Sequence, residues 1–239
     1  VRIDSKGAQL LSLCGRSGRE YIWNGDASVW KWHAPVLFPC CGDFPKGYSH
    51  NGKTLFLPMH GFLRDDEHMS IGDGTFIYRT EGKDFYPFPF EAKTEFIAEG
   101  EKLTHRLTIE NTGEEPMPYS IGFHTGFSLK NPLLRFSSPE EKLGGNEFRC
   151  DNESLSETVL LTGLKSKSIE AESEDGKMIR ITSHEFTTLV LWSAKGHVSD
   201  YVCIEPRIDT VPDGASYPFA RILKPHEKAS LEEIIEIIR

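Results

Sequence analysis

The sequence has no cysteine framework. Its five cysteines, at 14, 40, 41, 150 and 203, form an odd set without a CxxC spacing, so neither a disulfide scaffold nor a thiolate zinc site is indicated. It has no apolar run approaching the ~20 residues of a membrane-spanning helix. The amino terminus, VRIDSKGAQL, has neither the basic start nor the apolar stretch of a signal peptide. A cytoplasmic protein with no membrane partner is the expectation, and a first residue of Val rather than Met leaves room for a short piece ahead of it. Positive charge is in deficit, with 27 Lys plus Arg against 36 Asp plus Glu and a net charge of −9, which is the wrong sign for gripping a polyphosphate backbone. General nucleic-acid binding is disfavoured, whereas a single phosphate held by a local arginine is not. There is no internal repeat, low-complexity run or Pro/Ser/Gly-rich linker to divide the 239 residues. One domain spanning 1–239 is expected, a common length for a β-sandwich or barrel.

What is present is a 38% apolar content with 26% charged residues, enough for a sizeable core. Most local patterns repeat with a period near two: Leu103, His105, Leu107 and Ile109 alternate with Thr104, Arg106 and Thr108, the signature of a half-buried strand. Similar runs lie at Phe76 to Arg79, Lys93 to Ala98, Lys177 to Thr182 and Thr187 to Trp192. Turn dipeptides separate them, at Asn51-Gly52, Asp73-Gly74, Gly144-Gly145 and Asp175-Gly176. No regular strand–helix alternation appears, so the expected fold is an all-β, antiparallel sandwich. One segment conflicts with it. Leu231, Ile234, Ile235 and Ile238 fall at helical spacing, but an isoleucine-rich run prefers a pleated surface, and a final strand is expected there. The polar, turn-rich stretch from Ser137 to Ser154 is expected to include a surface excursion.

Three positions carry chemistry. In LPMHGFLRDDEH, His60 precedes Gly61, and Arg64 follows four residues on. A His-Gly pair lets backbone approach a ligand while an imidazole points into the same space; a satisfied core histidine is the commoner outcome for a lone His, and Arg64 beside Asp65 and Asp66 could equally be a surface ion pair of little worth. His124, in MPYSIGFHTGF, is framed by Ile121, Phe123 and Phe127 and suits either the floor of an apolar pocket or plain core packing. Glu205, in YVCIEPR, directly follows Val202, Cys203 and Ile204. A carboxylate so placed either reaches solvent at a strand end or has a partner and a task, because burying it ionised costs several kcal/mol.

Taken in order, GAQLLSL with GREYIWNGDASVW, APVLFPCCG, LPMHGFLRD, YPFPFE, the strand ending in Asn111, GFHTGF and CIEPR resemble the aldose 1-epimerase family of galactose-mutarotase-like proteins. Within it they resemble the LacX-like and hexose-6-phosphate-epimerase-like branch. The resemblance implies a large antiparallel β-sandwich that interconverts hexose anomers by ring opening, with a small-molecule sugar as partner and no cofactor or metal. It places Glu205 on the carboxylate that takes the proton from the C1 hydroxyl and His124 on the imidazole that protonates the ring oxygen. His60 and Arg64 fall on sugar-binding positions. Trp192 is a candidate stacking wall, though a core tryptophan is as good a reading. The acid and base are expected on facing walls of one pocket, roughly 5 to 8 Å apart, by hydrogen-bond reach from each end of a pyranose.

Two departures bear on the substrate. Asp43, in FPCCGDFPK, stands where many relatives carry an arginine, with Lys46 three residues later, and Arg207 stands where an aromatic residue usually follows the Glu-Pro pair. Arg207 is expected either at the pocket rim or in solvent. Asp43 disfavours a phosphorylated sugar. The alternatives are an epimerase acting on a hexose 6-phosphate, should Lys46 compensate for Asp43, and a non-catalytic sugar-binding or sensing protein of the same fold, against which the retained His124 and Glu205 pair argues. A histidine-based metal protein is opposed by the absence of His-x-His and HExxH spacings. The oligomeric state is left open, a homodimer among the possibilities.

Overall fold

The alternation read between residues 103 and 109 becomes the strand Lys102–Asn111, whose inward set is Leu103, His105, Leu107, Ile109 and Asn111. This computed structural model describes residues 1–209 and 219–238. Among them there is no α-helix, only two single 3-10 turns, Leu63–Asp65 and Glu141–Leu143, and no helix long and apolar enough to cross a membrane.

Nine antiparallel strands form the larger sheet, in the order Gly145–Arg149, Leu133–Glu140, Ser168–Glu172, Met178–Thr182, Lys228–Ile238, Lys102–Asn111, Phe90–Glu99, Thr75–Thr80 and Met69–Gly72. The turn dipeptides act as hairpin corners. Asn51 and Gly52, both at positive φ (48° and 73°), join Tyr48–His50 to Lys53–Leu55, as a two-residue hairpin matched to strand twist requires. A second sheet runs Val159–Thr162, Thr188–Trp192, Val202–Ile208, Ile121–Phe123 and Val36–Leu37, with Gly126–Phe127 also paired to Val202–Ile208. The two pack face to face as an antiparallel β-sandwich, and Phe96, Leu107 and Ile235 meet Ile121, Phe123 and Ile204 in the core between them.

The ambiguous carboxyl-terminal segment is the strand Lys228–Ile238, hydrogen-bonded on both sides. Leu231, Glu233 and Ile235 are buried, while Ile234 and Ile238 are only partly covered, so the inward set has a period of two. A central strand satisfies its backbone through both neighbours, which outweighs the helical spacing of four side chains. The stretch from Ser137 to Ser154 is part strand and part surface turn. Leu133–Glu140 and Gly145–Arg149 form a hairpin at the sheet's edge, with a register shift between Arg135 and Glu140, and an exposed outer strand there stays polar; the turn Glu141–Leu143 joins them, and the stretch beyond Arg149 is irregular.

The register of the final strand yields a direct test. Ile235→Ala should destabilise the protein by about 2–5 kcal/mol, while Ile234→Thr should cost less than about 1 kcal/mol. Urea denaturation of the two variants reads the difference, and equal losses would indicate that both side chains are core residues.

Candidate active site

Val202–Ile208 is buried along its whole length, and it carries Glu205 at its centre rather than at a strand end, with 0% exposure. The neighbouring strands Ile121–Phe123 and Gly126–Phe127 both pair with it, and His124 sits in the break between them, its N–H donating to Pro35 O at 2.9 Å. The break therefore delivers an imidazole beside the carboxylate. His124 Nδ1 lies 3.5 Å from Glu205 Oε1, and neither atom has a hydrogen-bond partner among the described residues. The two groups are thus closer than the separation read from the sequence. O1 and O5 of a pyranose are both bonded to C1, so an acid and a base side by side can reach both from one edge.

His60 arrives from the segment before the turn Leu63–Asp65, in a left-handed conformation (φ 64°) followed by Gly61 (φ 74°). Its backbone N–H donates to Gly42 O at 2.8 Å, and its Nδ1 accepts from the Gly42 N–H at 2.9 Å. An accepting Nδ1 leaves the proton of the neutral ring on Nε2. Gly61 is required here, because a Cβ at this position would overlap the Phe38 carbonyl. His60 meets His124 edge to face at 5.3 Å.

Arg64 is buried and is no surface ion pair. Its guanidinium lies 4.2 Å from the centre of the Trp32 ring, Nη2 donates to Met59 O at 2.9 Å, and Nε lies 3.6 Å from Asp65 Oδ2. Arg207, expected at the rim or in solvent, is likewise buried at 7% exposure. Its Nε and Nη2 both donate to Glu205 Oε2, the former at 3.0 Å. Desolvation within the strand, not exposure, is what this arginine answers.

All five residues singled out from the sequence, His60, Arg64, His124, Trp192 and Glu205, line one cavity of about 650 Å³, together with Asp43 and Arg207. Exposed Lys46 is not among its walls. Trp192 stands edge-on to His124 at 5.6 Å. Sequence reasoning assigned no role to Trp30, which stacks on His124 at 4.8 Å and 29°, or to Trp32 beneath Arg64. The aromatic run Trp30-Lys31-Trp32 was the available signal.

Ligand atoms of His124, Cys203 and Glu205 fall within 4.8 Å of one another, a grouping that histidine spacing did not reveal. Burial pushes the Cys203 thiol well up, and Arg207 already holds one oxygen of Glu205. An acid/base pair fits this set better than a cation beside a guanidinium does.

Burial raises the Glu205 carboxyl to about 7, against the lowering pull of Arg207. Burial also lowers the His60 imidazole to about 3, aided by Arg207 and Arg64, and lowers that of His124 well below its ordinary value, with Arg207, His60 and Arg64 adding to the effect. Both rings should therefore stay neutral across pH of about 5 to 8. Long-range ¹H–¹⁵N NMR of the imidazole nitrogens checks this, and a midpoint near 6.5 for either ring would contradict it.

Residues 1–168 match the aldose 1-epimerase family. The chromosomal LacX protein of Lactococcus lactis subsp. lactis is 27% identical over 86% of this chain and 83% of its own, and the plasmid LacX protein is equally similar. Among solved structures, a galactose mutarotase related enzyme from Lactobacillus acidophilus superposes with a TM-score of 0.87 at 20% identity, covering 99% of this chain and 93% of that one. A galactose mutarotase-like protein from Lactobacillus casei ATCC 334 gives 0.86 at 23% identity, covering 99% and 96%. These likenesses establish the fold, and the match over residues 1–168 establishes that this chain belongs to the aldose 1-epimerase family.

Proposed function

We propose that this protein is an isomerase that interconverts the α and β anomers of an unphosphorylated aldohexose. The observation that supports this most directly is the pair of buried, unpartnered atoms, His124 Nδ1 and Glu205 Oε1, facing each other across 3.5 Å on the wall of a sugar-sized cavity. Such groups are costly to bury unmatched, and a substrate hydroxyl and ring oxygen would supply the missing partners.

In the reaction, Glu205 takes the proton of the C1 hydroxyl as His124 delivers one to the ring oxygen, and the C1–O5 bond breaks to an open-chain aldehyde. Rotation about C1–C2 and reversal of both transfers close the other anomer, with no net gain or loss of protons or electrons. The pair works with one proton between them. In the empty site that proton favours Glu205, whose carboxyl is raised, over His124, whose imidazole is lowered; the reactive tautomer has the proton on His124. Macroscopic titration belongs to the pair. His60, with its Nε2–H, and Arg64 would bind sugar oxygens, and Trp192 and Trp30 would offer faces to the C–H side of the ring.

Charge favours a neutral substrate. Arg207 is committed to Glu205 and lies 3.6 Å from Asp209, Arg64 is engaged by Met59 and Asp65, and Asp43 adds a carboxylate to the wall. A phosphate needs several charge-assisted donors to be bound well.

Anomer exchange followed by polarimetry or NMR with glucose, galactose and their 6-phosphates tests the proposal. Glu205→Gln should retain sugar binding and lose exchange by about 10²-fold or more. Exchange near the parent rate would put the base elsewhere, and a parent that binds sugar without exchanging anomers would favour a sensor. For the substrate, kcat/KM should favour glucose over glucose 6-phosphate, and Asp43→Arg should shift the preference toward the phosphate; a parent that prefers the phosphate about tenfold (~1.4 kcal/mol) would refute the charge argument.

A further inference from the structure

Residues 205, 207 and 209 share one face of the strand Val202–Ile208 and its continuation, as a period of two dictates. Arg207 donates through two nitrogens to the same carboxylate oxygen, Oε2, while Oε1 is left with no hydrogen bond and points toward His124. The arginine is held in turn. Its Nη1 lies 3.6 Å from Asp209 Oδ2, and on the neighbouring strand its register partner is Gly122. A Cβ at Gly122 would come within 2.9 Å of Arg207 Cγ and 3.2 Å of Cys41 Sγ, so the missing side chain on one strand makes room for the arginine on the other. We propose that Arg207 is a positioning residue: by binding one oxygen of Glu205 it makes the other the single oxygen presented to substrate, and it keeps that oxygen ionisable in a buried site. This rests on the epimerase reading of the site and names the device that serves its base.

Lysine could not substitute fully, because a point charge lacks the planar fork that fixes the carboxylate's rotation. Electrostatics agree with the geometry. Glu205 is faced by Arg207 and Asp209 along its own strand, by Cys203 on that strand, by His124 from the break between Ile121–Phe123 and Gly126–Phe127, by Cys41 after Val36–Leu37, and more distantly by His60 and Arg64. The side opposite on the Thr188–Trp192 strand is Val190. Burial raises the carboxyl, and Arg207 is the largest influence bringing it down. Without the arginine the carboxyl should rise further, leaving less of it ionised at a given pH.

The test compares the parent with Arg207→Met, Arg207→Lys and Gly122→Ala. Two readouts are taken: the pH dependence of kcat and KM for anomer exchange, and the titration of the Glu205 carboxyl by ¹³C NMR, assigned by its loss in Glu205→Gln. Arg207→Met should raise the Glu205 midpoint by about one pH unit or more and move the acid limb of kcat/KM upward with it, lowering exchange at neutral pH at least about tenfold, mainly in kcat. Arg207→Lys should restore the midpoint more than the rate. Gly122→Ala, which crowds the arginine without removing its charge, should lower kcat while leaving the protein folded, and it carries the test if Arg207→Met does not fold. An unchanged midpoint and pH profile, with only thermal stability reduced, would make Arg207 a structural residue and overturn the proposal. A parent that exchanges no anomers would refute the epimerase reading instead, and the carboxyl titration would still judge the arginine's hold on Glu205.

Discussion

A carboxylate at the centre of a fully buried strand has to be compensated, and the arrangement around Glu205 follows from that requirement. Removing an ionised group from water costs several kcal/mol unless opposite charge and hydrogen bonds replace the lost hydration. Arg207 supplies both on one oxygen. Its own burial is then balanced by Glu205 and Asp209 and made sterically feasible by Gly122. Beside this arginine, Glu205 Oε1 and the His124 Nδ1 that faces it are left without a hydrogen-bond partner among the described residues. These two atoms lie on the cavity wall, a place where unsatisfied polarity points to function rather than to faulty packing.

A second buried carboxylate ties this site to the rest of the sandwich. Glu233 lies on the central strand Lys228–Ile238 at 0% exposure. Its Oε1 accepts from Thr125 Oγ1 at 2.6 Å and pairs with His105 Nδ1 at 3.0 Å. Thr125 is the residue after His124, so a hydrogen bond reaches from the larger sheet to the break that carries the imidazole. His105 is packed against Phe96 and Phe123, each with its ring centre 4.3 Å away, which links the same two layers through apolar contact. Residues that read in the sequence as an ordinary half-buried strand and an isoleucine-rich tail therefore form the floor under the catalytic candidates.

Much of this was legible in the residues, for identifiable reasons. The period of two at 103–109 and the turn pairs at Asn51-Gly52 and Asp73-Gly74 report local sterics, and local sterics survived folding. His60, Arg64, His124 and Glu205 were visible because short motifs with glycine or proline beside a titratable residue are seldom neutral to structure. Arg207 was not, since the sequence does not show that the strand runs on through Pro206 to Ile208, which is what puts residues 205 and 207 on one face. Nor does it show that Gly122 lies opposite on the neighbouring strand and leaves room for the side chain. Trp30 escaped for a similar reason: it lies far from His124 in sequence, and nothing local shows that the two rings stack. The 5 to 8 Å expected between His124 and Glu205 assumes a pyranose lying between them, whereas O1 and O5 of such a ring share one carbon and both can be reached from one edge.

Trp30 also bears on how so depressed an imidazole can work as an acid. Burial and the charges of Arg207 and Arg64 all oppose a proton on His124. The indole face against it acts in the other direction, since an aromatic π-system attracts a cation, by about 0.5–2 kcal/mol in sites sheltered from water. This partial compensation does not make the imidazolium stable at rest. Under the proposed reaction it would make the imidazolium accessible once sugar occupies the site, and a proton held there against several opposing charges would be delivered readily to the ring oxygen. Arg207, which opposes a proton on His124, also pulls the Glu205 carboxyl down against its burial, so one charge would prepare both members of the proposed pair for opposite roles.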